Sequence, residues 1–269
     1  MKIISWNINS LRLRIDLLEK LIAESQADII CLQETKVDND QFPTKQIKDL
    51  GFNYIAFDGQ KSYNGVAIIA KIPLLNIENI DIGNYNQARH LKADFKFNNN
   101  NQEELITLHN FYIPAGGDIP DPIINNKFAH KLNFIDWMID FFKQQELSNK
   151  KIIILGDFNI APLENDVWSH KQLANVVSHT KIEIDKLINL QKTINFIDTH
   201  RHFISEKEKL YSWWSYRGLE PMKSNRGRRL DHIWCSPNLK NNIKNFQFFQ
   251  DYRTLKRPSD HIPIATIFE

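Results

Sequence analysis

Cysteine is nearly absent: the 269 residues hold two, Cys31 and Cys235, each inside an apolar run (IICLQ and HIWCS). That excludes a disulfide-stapled fold and a thiolate metal cluster, and it predicts two reduced thiols in the core. Long apolar stretches are missing too. No window approaches the roughly eighteen residues of a membrane span. The opening MKIISWNINSLRLRIDLL is broken by polar residues too often for a signal peptide. A soluble protein of a reducing compartment, most simply the cytoplasm, is expected. Nor is there an excess of one charge: 34 Lys+Arg against 32 Asp+Glu leave +2. With a pI near 8.4, any anionic partner must be met by a local patch.

Hydrophobic residues make up 42% and charged residues 25% of the chain, enough for a large core and against disorder. Apolar runs rich in Ile and Val predict strands at 2–6, 28–32, 66–70, 105–113, 151–155, 230–235 and 262–268. Three- and four-residue spacing predicts helices over 12–25 and 127–145, the second with Phe128, Leu132, Ile135, Met138, Ile139 and Phe142 as its stripe. FNNNNQEE (97–104) reads as a hairpin tip and PAGGDIPDPIINN (114–126) as a surface excursion. Strands and helices alternate without a linker or repeat, so residues 1–269 are expected to form one α/β domain.

Polar residues cluster just after the apolar runs: Asn7 and Asn9, Glu34 and Lys36, Asp157 and Asn159, with Tyr112 and Asp231 inside runs and Asp260 and His261 before the last. Strand ends at one sheet edge would converge these groups. Carboxylates and carboxamides with one His suit a hard cation, Mg2+ or Mn2+. Each residue alone is also a plausible turn former. A turn, however, needs no Glu and gains nothing from His.

The blocks SWNINSLR, IICLQETK, YNGVAII, NFYIPAGG, ILGDFNIAP, YSWWSYR, NRGRRLDHIW and SDHIPI, in this order over residues 5–264, resemble the exonuclease III branch of the endonuclease, exonuclease and phosphatase superfamily. The resemblance implies a four-layer α/β sandwich of two packed mixed sheets flanked by helices. It implies a metal-dependent DNA repair nuclease that cuts 5′ to abasic sites, trims nucleotides and blocking groups from 3′ ends, and often degrades RNA in hybrids. By the same resemblance Glu34 is the principal metal ligand, with Asn7 and Asp260. Asp157 and Asn159 handle the attacking water, a second metal site there being the alternative. Asp231 pairs with His261, and Tyr112 lies beside the scissile phosphate. Chemistry agrees: a phosphodiester anion repels its nucleophile, so a site must neutralise charge, orient water and support the leaving oxygen. Asp157 suits a base, unless strongly perturbed, although acid and ligand roles stay open. His261 beside Asp231 is biased towards imidazolium.

Tyr211 to Arg229 interleaves Trp213, Trp214 and Tyr216 with Arg217, Lys223, Arg226, Arg228 and Arg229, a pattern suited to gripping phosphates beside an apolar wall. Lys36, Trp213, Arg217, Arg226, Arg228 and Leu230 are the DNA-contact candidates, Trp213 and Leu230 matching the family's pocket for a flipped-out abasic sugar. Arg12, Arg14, Arg253, Lys256 and Arg257 are weaker candidates, better read as exposed charges. Two positions depart from the family: Ala115 replaces a phosphate-bonding amide and Ser10 the usual Gly. His200 and His202 are expected at the surface and not as zinc ligands. Duplex DNA is the expected partner and a monomer the expected state. A small-molecule phosphatase would need no aromatic-basic flank, and a non-catalytic binder would lack Glu34, Asp157 or His261.

Overall fold

Ile3 to Asn7 are buried on both faces, because this strand lies inside a sheet that is covered on either side. In the computed structural model, which describes residues 1–99, 102–144, 150–217 and 221–269, fourteen strands run in chain order. They are β1 Lys2–Asn7, β2 Ile29–Gln33, β3 Tyr54–Asp58, β4 Val66–Ala70, β5 Leu75–Glu78, β6 His90–Asn99 and β7 Gln102–Tyr112. The second half adds β8 Lys151–Asp157, β9 Ile197–Asp198, β10 Trp213–Trp214, β11 Gly227–Arg228, β12 Asp231–Cys235, β13 Ile243–Phe248 and β14 Ile264–Phe268. Helices are α1 Ile15–Ser25, α2 Thr44–Asp49, α3 Asn126–Gln144, α4 His170–Leu173, α5 Lys181–Lys192 and α6 Pro221–Ser224.

The strands form two six-stranded mixed sheets, ordered β13-β14-β1-β2-β4-β3 and β5-β6-β7-β8-β12-β9, with β10-β11 a short pair apart. Strand alternation builds the layers. Ile3, Ile29, Cys31 and Ile68 face the second sheet's Leu108, Ile153, Leu155 and Ile233 in one core. Their neighbours Ile4, Trp6, Ile30 and Leu32 face outward onto Leu18, Leu21 and Ile22 of α1. On the other side Phe134, Met138 and Phe142 of α3 and Leu187 and Leu190 of α5 cover Ile152 and Ile154. The result is the α/β sandwich of helix, sheet, sheet and helix.

Each sheet has one parallel pair near its centre, β1 with β2 and β7 with β8. Those pairs end on Asn7 opposite Gln33 and on Tyr112 opposite Asp157. Antiparallel neighbours bring their beginnings to the same ends: Asp231 opens β12 opposite Asp157, and His261 precedes β14. One rim therefore collects residues spread over the whole chain. Gly156 is required just before Asp157, because its φ is +137° and a Cβ there would lie 1.9 Å from the Phe111 carbonyl oxygen.

Several elements escaped the apolar pattern. β5 and β13 are edge strands with mixed or exposed faces and carry no continuous apolar run, whereas the edge strand β3 holds a short one, 54–57, that sequence reasoning passed over. The expected helix from 12 begins at Ile15; the one expected to 145 is described to Gln144, and residue 145 lies outside the described residues. β6 and β7 pair as far as Asn99 opposite Gln102, the expected hairpin, with residues 100 and 101 outside the described residues. Cys31 and Cys235 are buried and free, and no described helix is long and apolar enough to cross a membrane. His200 corrects an expectation: it is fully buried, its Nε2 3.2 Å from the Ala265 carbonyl oxygen, while His202 is exposed. The chain turns after β9: Thr199 and His200 pack against β12 and β14, while the turn closed by the His202 N–H on the Asp198 carbonyl carries His202 out to solvent.

Candidate active site

Asn7 joins the two sheets. Its Nδ2 donates to Glu34 Oε1 at 2.9 Å and to Asp157 Oδ2 at 2.8 Å. Glu34 also accepts from the Tyr112 hydroxyl at 2.7 Å and pairs with Lys36 Nζ at 2.8 Å. Burial alone would raise its carboxyl, but Lys36, Asn7 and Tyr112 together hold it below the usual range. Glu34 is therefore an anion at neutral pH. Tyr112 goes the other way: burial and the Glu34 charge push its phenol well above its ordinary value, so it keeps its proton.

Asp157 is held from three directions. Oδ1 accepts the Asn159 backbone N–H at 2.9 Å; Oδ2 accepts the side-chain amides of Asn7 and Asn159 and lies 3.7 Å from His261 Nε2. Burial pushes its pKa up to about 7, with the imidazolium opposing and the Asp231 charge adding to the rise. This is the strong perturbation that an ionised base would have had to escape. It puts Asp157 where it can take and return a proton near neutrality.

His261 sits between two carboxylates, its Nδ1 2.8 Å from Asp231 Oδ2. Burial lowers an imidazole, yet Asp231 and Asp157 outweigh it and carry His261 up to about 10. Among the described residues these three are the acidic and His group whose ligand atoms lie within 4.8 Å of one another. With the proton on His261 the trio shares it between two carboxylates; with the proton lost, the same atoms are donors for a cation. Glu34 and Asp260 add two carboxyls held below their ordinary pKa, oxygen donors of the kind a hard cation takes, and Asn7 turns its Nδ2 to Glu34. Asp260 is reached through a relay. Lys36 Nζ donates to Asn9 Oδ1 at 2.7 Å, and Asn9 Nδ2 donates to Asp260 Oδ1 at 2.9 Å.

Strain marks the same rim. Asn9, Ser10, Glu34, Lys36 and Asn159 all have positive φ, +47° to +87°, conformations that L side chains seldom hold without support. Sequence reasoning passed over two supports. Ser212 Oγ donates to Asp231 Oδ2 at 2.6 Å, and Ser259 Oγ donates to the Asn7 carbonyl at 2.7 Å. Serines next to a strand carry no local signal of such a role.

A hollow of about 540 Å³ opens beside the rim, lined by Trp168, Trp213, Arg217, Arg226 and Arg228 among others. Arg228 lies over the Trp213 ring and Arg226 over Trp168, with guanidinium carbons 5.3 and 4.7 Å from the ring centres. Leu230 lies beneath, 4% exposed, packed with Ala161, Val167 and Leu173. Its side chain supports the wall instead of forming it. Lys36 is engaged in the carboxylate cluster and partly exposed. Arg12, Lys256 and Arg257 are exposed as expected, but Arg14 and Arg253 are buried. Arg14 donates to the carbonyls of Arg257 and Pro258, and Arg253 to that of Trp214. Both are internal clamps on main-chain carbonyls. Residues 218–220, within the aromatic-basic stretch, lie outside the described residues.

Residues 4–261 match the Endonuclease/Exonuclease/phosphatase family. The chain is 29% identical to exodeoxyribonuclease III of Haemophilus influenzae over 280 residues, with all of both chains covered. It is 30% identical to an exodeoxyribonuclease of Bacillus subtilis, covering 99% of each. Among solved structures it is similar to an AP endonuclease from Archaeoglobus fulgidus, with TM-score 0.89, 27% identity and 100% and 99% of the chains covered. The 3′ phosphatase NExo from Neisseria, bound to product DNA hairpin, gives the same TM-score at 29% identity, with 100% and 99% covered.

Proposed function

The chain belongs to the endonuclease/exonuclease/phosphatase family, and from that premise we propose that it is a metal-dependent DNA repair nuclease of the exodeoxyribonuclease III type. Its substrates are duplex DNA with abasic sites, cut on the 5′ side, and 3′ ends, from which it removes nucleotides and blocking groups. The observation that carries this is the convergence of Glu34, Asp157 and the Asp231–His261 pair through Asn7. Relatives that bear the names exodeoxyribonuclease and DNA-(apurinic or apyrimidinic site) endonuclease support it.

Glu34, with Asn7 and Asp260, would hold the cation, for which the all-oxygen donor set favours Mg2+ or Mn2+. Bound there, it supplies charge neutralisation at the phosphate. The remaining chemistry belongs to the chain. Asp157 accepts the proton of the attacking water while Asn159, bonded to both of its oxygens, fixes its direction. His261, kept cationic by Asp231, faces the negative charge that grows on the phosphoryl oxygens. Tyr112 presents its O–H beside Glu34 and steadies the substrate there. Arg217, Arg226 and Arg228 grip the backbone beside the hollow. A monomer fits an open rim that must admit a duplex, and two buried thiols fit the cytoplasm.

The test is cleavage of a labelled duplex that carries one abasic analogue, with Mg2+ or EDTA, by wild type and Glu34→Ala, beside an undamaged recessed 3′ end. Metal-dependent nicking 5′ to the lesion, reduced at least about a hundredfold in the variant, roughly 2.7 kcal/mol, is expected. Tight binding without cutting of either substrate would overturn it.

A further inference from the structure

Lys131 is a charged side chain with no access to water, on the face of α3 that looks at the loops around the rim. Its Nζ is 2.5 Å from Glu183 Oε1 of α5, an ion pair whose two side chains are both fully buried. The same ammonium donates to the Asn159 carbonyl at 2.8 Å and the Ala115 carbonyl at 3.3 Å. Its three protons thus have three acceptors, the Glu183 carboxylate of α5 and two carbonyls on loops that follow the neighbouring parallel strands β7 and β8. Glu183 is equally occupied. It accepts the backbone N–H groups of Ser178 and Thr180 and the Thr180 hydroxyl.

Stability gives little reason for this arrangement. A buried ion pair costs desolvation of two ions, and apolar replacements of similar volume are often neutral or better. Its position gives a stronger reason. Asn159 has φ +54°, a conformation that needs outside support in a residue other than Gly, and Lys131 holds the carbonyl of that residue. Asn159 in turn bonds both oxygens of Asp157 and, through Nδ2, the Ile113 carbonyl. Gly116 follows Ala115 with φ +90°, and a Cβ there would lie 2.9 Å from Lys131 Cδ, so the second loop is moulded onto the lysine stem.

We infer that Lys131, fixed by Glu183, is a positioning residue for the hydrolytic reaction: it locks the Asn159 backbone, through which Asp157 is aimed. This rests on the nuclease reading for its kinetic consequence, but not for its structural one. The pair replaces the sheet hydrogen bonds that the two loops lose on leaving β7 and β8. It also ties the rim to the outer helices α3 and α5.

The experiment uses Lys131→Met combined with Glu183→Gln, which removes both charges and keeps an acceptor for Ser178 and Thr180. Two readouts are taken: kcat and KM for cleavage of the abasic duplex, and hydrogen exchange of the Asn159 amide against those of Ile153 and Leu155. The expected result is kcat lower by about a hundredfold at near-constant KM, as a misaimed base gives. Exchange at Asn159 should be at least tenfold faster while the strand amides are unchanged. Unchanged kcat, or unchanged Asn159 protection in the folded variant, overturns the inference. If the double variant does not fold, Lys131→Arg, which keeps the charge and displaces the donor, is read the same way. If wild type cuts no DNA, the nuclease reading fails, and the exchange comparison alone still decides the inference.

Discussion

The indole Nε1 of Trp213 donates a 2.9 Å hydrogen bond to Oδ2 of Asp260. An aromatic wall of the hollow thus orients a carboxylate of the proposed cation site. Partners of this kind typically change metal affinity about 10- to 100-fold when removed. Trp213→Phe should raise the Mg2+ concentration for half-maximal cleavage about tenfold, with the rate at saturating metal much less affected. An unchanged metal titration would separate the hollow from the cation site.

The pH dependence follows from the two perturbed groups. Asp157, raised from 3.8 to about 7, is available as a base only above that pH; His261, raised from 6.5 to about 10, is a cation only below that pH. Activity should fall as pH drops through about 7 and as it rises through about 10. Asp231→Asn removes the main charge that raises His261, so its basic limb should move down towards the ordinary His range near pH 6.5. Asp157→Asn should abolish the acidic limb along with most of the rate. A variant that kept the acidic limb would remove Asp157 from the role of base.

The same signs govern stability. The raised pKa of His261 means that its contribution is complete below about pH 6.5 and is lost as pH rises towards 10. Asp157 opposes folding once ionised, a penalty that grows between about pH 4 and 7. Melting at pH 7 and pH 10 should show lower stability at the higher pH, and His261→Gln should flatten that difference.

Ser10 has φ +87° at the position where the resembled family usually has Gly. Relief of that strain outweighs the added freedom of the unfolded chain, a net gain of about 1 kcal/mol. Ser10→Gly should therefore raise the melting temperature by about 2 °C. A lower melting temperature would mean that the Ser side chain is itself stabilising.

Arg229 is 1% exposed and pairs with Asp166 at 2.8 Å and Asp198 at 2.7 Å. Although it lies in the aromatic-basic stretch, its role is internal. Arg229→Met takes the arginine from Asp198 and one of two arginines from Asp166, which keeps Arg201 at 2.6 Å, and should cost about 3 kcal/mol, lowering the melting temperature by about 8 °C. Arg226→Met, on an exposed side chain, should leave melting unchanged and weaken DNA binding with a shallower salt dependence.

How much was legible depended on how local the signal was. The strands with both faces covered, β1, β2, β4 and β8, are predominantly apolar, so burial wrote them into the sequence. β5 and β13 carry one bare face or two, and nothing in their composition separates them from loops. Glu34, Asp157 and His261 stood out because a carboxylate or imidazole at the end of an apolar run has little to do in a turn. Lys131, Ser212 and Ser259 did not, since a lysine on a helix and serines beside strands are ordinary locally. The arginines divided the same way: Arg14, Arg229 and Arg253 read like Arg12 and Arg226 in the sequence, and only packing turned them inward.

The sequence by itself determined the layers, because the period of its apolar residues sets which face of each strand and helix is buried. It also determined the chemistry available, because oxygen donors and one imidazole beside strands suit a hard cation. Only the tertiary structure decided which of these groups meet. Two sheets, each with one parallel pair, had to face one another before Asn7 could join Glu34 to Asp157. Burial between them had to occur before Asp157 and His261 could hold their shifted protons. Distance and dielectric are properties of the packed chain, and no residue type carries them alone.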